Sequence, residues 1–337
     1  MKKVYKSIDI TKFILAYVVV LVHAVGFHLK DNISWFLTEH LIFRLTVPFF
    51  FITSGFFLGM KVKAQPERKN EFIRKNVKSL SIHYLFWGSV YTLIGFVFNI
   101  RQGIGLKQNV FMSLRDFITF NPSAMWYLGA LIFSFLVLAF IKTKKSFLIS
   151  IPIGILFYIF GLLLGSYSGI FTGTIIEPVL HHYYMLFVSS SNGLFVGYIF
   201  VAIGYYFGAY KEKETKVQKI WLQLLIGYVV LAVELAAILL VIPDCLQGNY
   251  DYLLGILIIV PALFELVQKC KIPDDISTGF VRKASSTVYF SHMAVISGVH
   301  IIFKTHFAVE FVIAAVLVTL GAYIVYKWNN KYINLIT

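Results

Sequence analysis

Two cysteines, eight prolines and sixteen acidic residues are scarce endowments for 337 positions. Two thiols can form one bridge at most. Cys245 and Cys270 fall in loops that the topology below puts on opposite faces, so no disulfide framework is expected. Charged residues make up only 14% of the chain, against 58% hydrophobic residues, with 33 Phe and 20 Tyr. No soluble core of this length needs so much apolar material, so the class is a polytopic membrane protein. Also lacking are a Walker loop, a dinucleotide glycine pattern, an HExxH zinc-protease motif and a nucleophile elbow. Their absence argues against a nucleotide-burning pump and a serine hydrolase. The first apolar run is long and has no small-residue cleavage site after it, so no cleavable signal peptide is expected.

What the chain does have is a net charge of +14 carried in short runs between apolar stretches. This is the positive-inside pattern of membrane proteins, not a nucleic-acid footprint. Ten apolar spans are expected, at 10–29, 40–60, 80–100, 124–141, 147–165, 192–210, 220–242, 251–268, 287–303 and 308–328. Each approaches the ~20 residues that cross a bilayer as helix, and lipid forces helix on them. Of the 30 basic residues, 24 fall on one side, among them Lys2, Lys3, Lys6, Lys12, Arg74, Lys75, Lys78 and Lys331. Lys30, Arg44, Arg101, Lys107, Arg115 and Lys304 are left for the other. The expected fold class is therefore all-α, a single membrane-embedded domain over 1–337 with about ten transmembrane helices and both termini cytoplasmic. Two outer loops, 101–123 and 166–191, are large, and the second has room for a re-entrant or interfacial piece.

The first span organises the rest. Lys12 and His23 lie three turns apart and nearly on one face, with Asp9 within roughly 40° of the same line. His23 is ~16 Å above Lys12, close to mid-depth in a hydrocarbon core ~30 Å thick. An intramembrane imidazole either bonds to a neighbouring helix or serves as a general base near neutral pH. His28, about 140° around the helix from His23, reads as an interfacial residue. Arg74 and Lys78, spaced i and i+4, are either positive-inside charges or a clamp for the phosphates of a cytosolic donor. Glu234 lies too deep for water and either orients His23 or pairs across helices. His292 reads equally as a structural hydrogen bond or a donor-binding residue. Trp126 and Tyr127 suit an interfacial aromatic belt. Glu177, His181 and His182 lack firm ligand spacing, and no metal is expected.

In this order, these residues resemble the acyltransferase-3 family of integral membrane acyltransferases over nearly the whole chain. The opening acid, base and histidine are Asp9, Lys12 and His23. The second-span pattern is RLTVPFFFITSGF at 44–56, beginning at Arg44. The basic patch is FIRKNVK at 72–78, the fourth span opens MWYL at 125–128, the sixth NGLFVG at 192–197, and the ninth runs RKASSTVYFSH at 282–292. Lysine stands at Lys12 and Lys78 where arginine is usual, and Lys cannot bind bidentately. Ser191 stands where some members have Arg.

The resemblance implies an enzyme that moves an acyl group, usually acetyl, from cytosolic acyl-CoA to a hydroxyl of a cell-surface or exported glycan. It puts the essential histidine at His23 and the donor-binding cations at Lys12, Arg74 and Lys78, with Asp9, Arg44 and Trp126 in support. It implies a multi-pass protein of a bacterial plasma membrane. Similar segments form the membrane part of some serine racemases of vancomycin-resistant bacteria, where amino-acid uptake has been suggested, and others serve polysaccharide export. A transporter is accordingly the rival reading, and a catalytically dead envelope partner a third.

Overall fold

The computed structural model describes residues 5–26, 28–29, 31–242, 245–248, 250–303 and 305–328. Lys2, Lys3, Lys30, Lys304 and Lys331 of the charge pattern lie outside these. Every regular element described is helical: α1 (Lys6–Gly26), α2 (Ile33–Leu41), α3 (Thr46–Ala64), α4 (Lys69–Arg101), α5 (Leu106–Ile118), α6 (Trp126–Phe140), α7 (Lys144–Leu164), α8 (Glu177–Phe187), α9 (Tyr198–Ala209), α10 (Val217–Val241), α11 (Leu254–Lys269), α12 (Gly279–Phe303) and α13 (Phe307–Trp328). A π-turn, Gly193–Gly197, leads into α9.

Each of the ten expected spans is occupied by helix. Eight helical stretches among the described residues are long and apolar enough to cross a membrane. The other two are shorter: the apolar helix Gly193–Ala209, and α11, which has 16 residues and carries Pro261. Large apolar side chains stand exposed along the long helices, including Leu93 and Val97 on α4, Leu156 on α7, Leu225 and Val233 on α10, and Leu320 on α13. Such faces are at home in lipid, not in water. The chain is a multi-pass, all-α membrane protein.

The two large loops are more ordered than a loop reading suggests. Segment 101–123 contains α5, an amphipathic helix. Leu106, Val110, Phe111, Leu114 and Ile118 are exposed on it, while Asn109 is fully buried. The Asn109 amide bonds to Asn99 at 3.0 Å and donates to the Phe96 carbonyl at 2.9 Å. That face suits a helix lying in the membrane interface. Segment 166–191 contains α8, eleven residues long.

The helices form two compact units. The first comprises 1–50, 214–232 and 255–337; the second comprises 51–213 and 233–254. In the first unit α1, α12 and α13 pack on one another. The Tyr17 and Thr319 hydroxyls meet at 2.6 Å, and Phe49 packs on Phe264. In the second unit α3 and α9 cross at glycines spaced four apart, Gly55 and Gly59 against Gly204 and Gly208. A methyl group at Gly55 would fall on the Val201 carbonyl oxygen, and one at Gly204 on that of Ile52. In lipid, where apolar burial offers no preference between helix and solvent, backbone proximity of this kind is a main source of association.

Candidate functional site

The first unit holds Asp9, Lys12, His23, Arg44 and His292. Near the start of α1, Asp9 is 4% exposed. One carboxylate oxygen, Oδ2, accepts three hydrogen bonds: from Thr278 Oγ1 at 2.9 Å, Arg282 Nε at 2.9 Å and Arg282 Nη2 at 2.6 Å. The Asp9–Arg282 pair joins α1 to the first turn of α12. Lys12, half-buried, lies in the field of both Asp9 and Arg282. Lys6 donates to the carbonyls of Pro273 at 2.9 Å and Asp274 at 2.6 Å, tying the loop before α12 to the same end.

Three turns further along α1 comes a contact of another kind. The rings of His23 and His292 have centroids 5.1 Å apart and planes inclined at 35°. His292 is fully buried on α12, and its Nδ1 donates to the Tyr289 carbonyl one turn back. A carbonyl can only accept, so that bond puts the proton on Nδ1 and leaves Nε2 with its lone pair. This buried Nε2 has no hydrogen-bond partner among the described residues. Orphaned buried polar atoms are rare, and they call for a functional or solvent explanation. His23 is half-buried and lies in the field of Arg44, whose Nη2 pairs with Glu39 at 2.7 Å. Of the two readings of His292, the structure displays the hydrogen bond. It adds a neighbour, His23, that spacing could not reveal.

In the second unit, Arg74 and Lys78 are both exposed on the first turns of α4, and neither forms an ion pair with a described residue. Their neighbour Lys75 is held by Glu71 at 2.8 Å. Trp126 opens α6 and its ring lies 5.9 Å from that of Phe51. Glu234, 8% exposed, accepts from the Tyr167 hydroxyl and from the backbone N–H of Leu254 at 2.8 Å. It thereby satisfies the first amide of α11, where a negative charge is favoured. Glu177 accepts from the Gly173 N–H at 2.7 Å, and the His182 ring bonds to the Pro178 carbonyl at 2.6 Å.

The second unit also holds a half-open cavity of about 360 Å³. Hydroxyl-bearing residues dominate its wall: Ser166, Ser190, Ser191, Tyr184, Tyr250 and Tyr252. Each is anchored or aimed by its own bonds. Ser191 donates to Asp251 at 2.6 Å, Ser166 to the Tyr252 carbonyl at 2.6 Å, and Tyr252 to the Gly161 carbonyl at 2.7 Å. Burial pushes the Tyr250 phenol up to about 12 and raises Tyr184 and Tyr252, so all three keep their O–H at neutral pH. Val188 on the same wall sits at φ 63°, a left-handed conformation that a β-branched residue adopts only under constraint. Apart from Ser191, which stands where some family members have Arg, the serines and tyrosines carry no motif, and the cavity is assembled from residues within 165–191 and 242–252.

The family model described as "Acyltransferase domain" matches residues 5–327. The chain belongs to the acyltransferase-3 family. Among curated proteins it is similar to an amino-acid racemase of Enterococcus faecalis, 28% identical over 205 residues, which are 60% of this chain and 28% of that protein. It is also similar to a serine/alanine racemase of Enterococcus gallinarum, 28% identical over 236 residues, 68% of this chain and 33% of the other. The chain spans about a third of the length of these relatives. No solved structure matches it.

Proposed function

We propose that this acyltransferase-3 domain is an O-acyltransferase that takes an acyl group, acetyl by preference, from cytosolic acyl-CoA. It delivers the group to a hydroxyl of a cell-envelope or exported glycan. The observation that carries the reading is the facing pair His23 and His292 inside a membrane helix bundle, with a lone pair left over on His292. His23 takes the proton of the acceptor hydroxyl as its oxygen attacks the thioester carbonyl. The C–O bond forms, the C–S bond breaks, and the proton passes to the departing CoA thiolate. His292, held in one tautomer by Tyr289, positions His23 and offers Nε2 to an N–H or O–H beside it.

The unpaired Arg74 and Lys78 suit the donor's phosphates, and the charge pattern of the sequence groups Lys12 with them. A lysine and arginine pair grips phosphate by charge more than by bidentate geometry, which favours a donor held loosely and released quickly. The hydroxyl-lined cavity of the second unit suits a polyhydroxyl acceptor, since a sugar exchanges water for alternating donors and acceptors of this kind. The lysine-rich faces then look into the cytoplasm of a bacterial plasma membrane, with both termini inside.

The racemase names of the Enterococcus relatives point to amino acids as molecules those proteins handle, and the second reading is passage of an amino acid, or of a polysaccharide, across the membrane. Purified protein in liposomes with labelled acetyl-CoA separates the two. Release of CoA that depends on an added glycan acceptor supports the transferase. Solute flux that needs neither acyl donor nor acceptor overturns it in favour of transport.

A further inference from the structure

His28 reads from the sequence as an interfacial residue, and nothing in its spacing links it to His300 or Glu310. The fold of the first unit gathers all three. His28 lies just beyond the end of α1, His300 in the last turn of α12, and Glu310 in the first turn of α13. Glu310 Oε2 is 3.0 Å from His28 Nε2 and 3.0 Å from His300 Nδ1. The three ligand atoms all lie within 4.8 Å of one another, and this is the one such group among the described residues. Glu310 is fully buried, whereas His28 is exposed. Its second oxygen, Oε1, accepts the Thr305 N–H at 3.1 Å, which fixes the carboxylate's orientation.

We propose that His28, His300 and Glu310 form a binding site for a divalent transition metal of the zinc class. Two features point there. Both imidazoles bring a nitrogen within 3.0 Å of one carboxylate oxygen, and His300 Nδ1 also lies 3.2 Å from the other, so potential ligand atoms from three helix ends gather within 4.8 Å of one another. The carboxylate is also fully enclosed, and an enclosed negative charge needs a cation. Zinc bonds of about 2.0–2.2 Å to nitrogen and oxygen set tetrahedral ligand atoms about 3.3 Å apart. To admit the ion the two 3.0 Å pairs spread slightly, and the two imidazole nitrogens, no more than 4.8 Å apart, adjust toward the same spacing. Two histidines and a glutamate leave a fourth position, which the exposed side of His28 gives to water. The Thr305 N–H supplies the outer-shell bond that orients a ligating carboxylate. By the charge asymmetry these helix ends face outward, so the metal comes from outside the cell and staples the end of α1 to the α12–α13 hairpin. The site plays no part in the transfer step proposed above and can fail without it.

The test uses the full chain in detergent with its affinity tag removed, exposed to excess Zn²⁺ and desalted. One retained zinc per chain is expected, with a rise in the thermal midpoint on the order of 5 °C. Glu310→Gln and His300→Ala should lose both effects while staying monodisperse. His300→Cys keeps a ligand, so Co²⁺ should bind it with a thiolate charge-transfer band that the wild type, with Cys245 and Cys270 alone, lacks. That variant decides the matter even if Glu310→Gln does not fold. Zinc retention no greater in the wild type than in His300→Ala, or no new thiolate band in His300→Cys, overturns the site and leaves two imidazoles hydrogen-bonded to a carboxylate.

Discussion

Helices α1 and α12 touch through polar groups at two levels, and the levels differ in what they leave over. At the lower one, Asp9 Oδ2 is saturated by Thr278 and both arms of Arg282. At the upper one, His292 uses Nδ1 on its own helix and presents an unpartnered Nε2 in the neighbourhood of His23. A buried carboxylate oxygen with three donors holds helices in register and has little capacity left to bind anything else. A buried lone pair with no donor costs stability and is retained where a substrate, a proton or a water supplies the donor. The same two helices thus carry a fastening and a site, and the hydrogen-bond count tells them apart.

The largest expected effect comes from the upper level. His23→Ala should lower acyl transfer by about 10²–10⁴-fold with the protein still inserted and monodisperse, measured as labelled acyl groups moved from acyl-CoA. Undiminished transfer in that variant ends the proposal for His23. His292→Ala should cost about 10–10²-fold in kcat with little change in KM. Added to His23→Ala it should cost almost nothing more, because residues acting as a unit are not additive. Independent, additive losses would mean that the two rings merely pack.

At the lower level the balance should invert. Asp9→Asn should reduce stability by about 1–3 kcal/mol, read from thermal unfolding in detergent, with activity in the surviving folded fraction falling far less than in His23→Ala. The cost is moderated because the Arg282 side chain is 49% exposed and can rehydrate. Asp9→Asn that abolishes transfer without loss of stability would erase the contrast between the levels. The smallest effect belongs to Arg74→Ala or Lys78→Ala. Each should raise the KM for acyl-CoA a few-fold, shrinking at high salt, and leave the thermal midpoint unchanged.

Much of the fold was legible because lipid narrows the choices. Apolar runs near twenty residues have to be helices, and the ten runs read from hydropathy are all helical here. Two runs fell short, at 193–209 and in α11. There the chain spends length on a π-turn and on Pro261. The loop helices α5 and α8 were less legible, because a short amphipathic helix has no hydropathy peak. Of the site, His23 stood out as an ionisable group at mid-depth. Its partner did not, since His292 sits 269 residues later and only the packing of α12 on α1 joins them. Likewise Asp9 pointed along its own helix to Lys12, while its hydrogen bonds go to Arg282 and Thr278.

The sequence by itself determined the class and the long apolar helices, because these depend on hydropathy and on the rise of a helix, both local quantities. Only the tertiary structure decided which ionisable groups meet: His23 with His292, Asp9 with Arg282, and His28 with His300 and Glu310. Such meetings depend on the rotation of each helix about its axis and on its choice of neighbour. In lipid those are set by close backbone approach and polar contacts between distant segments, which no single stretch of the chain encodes.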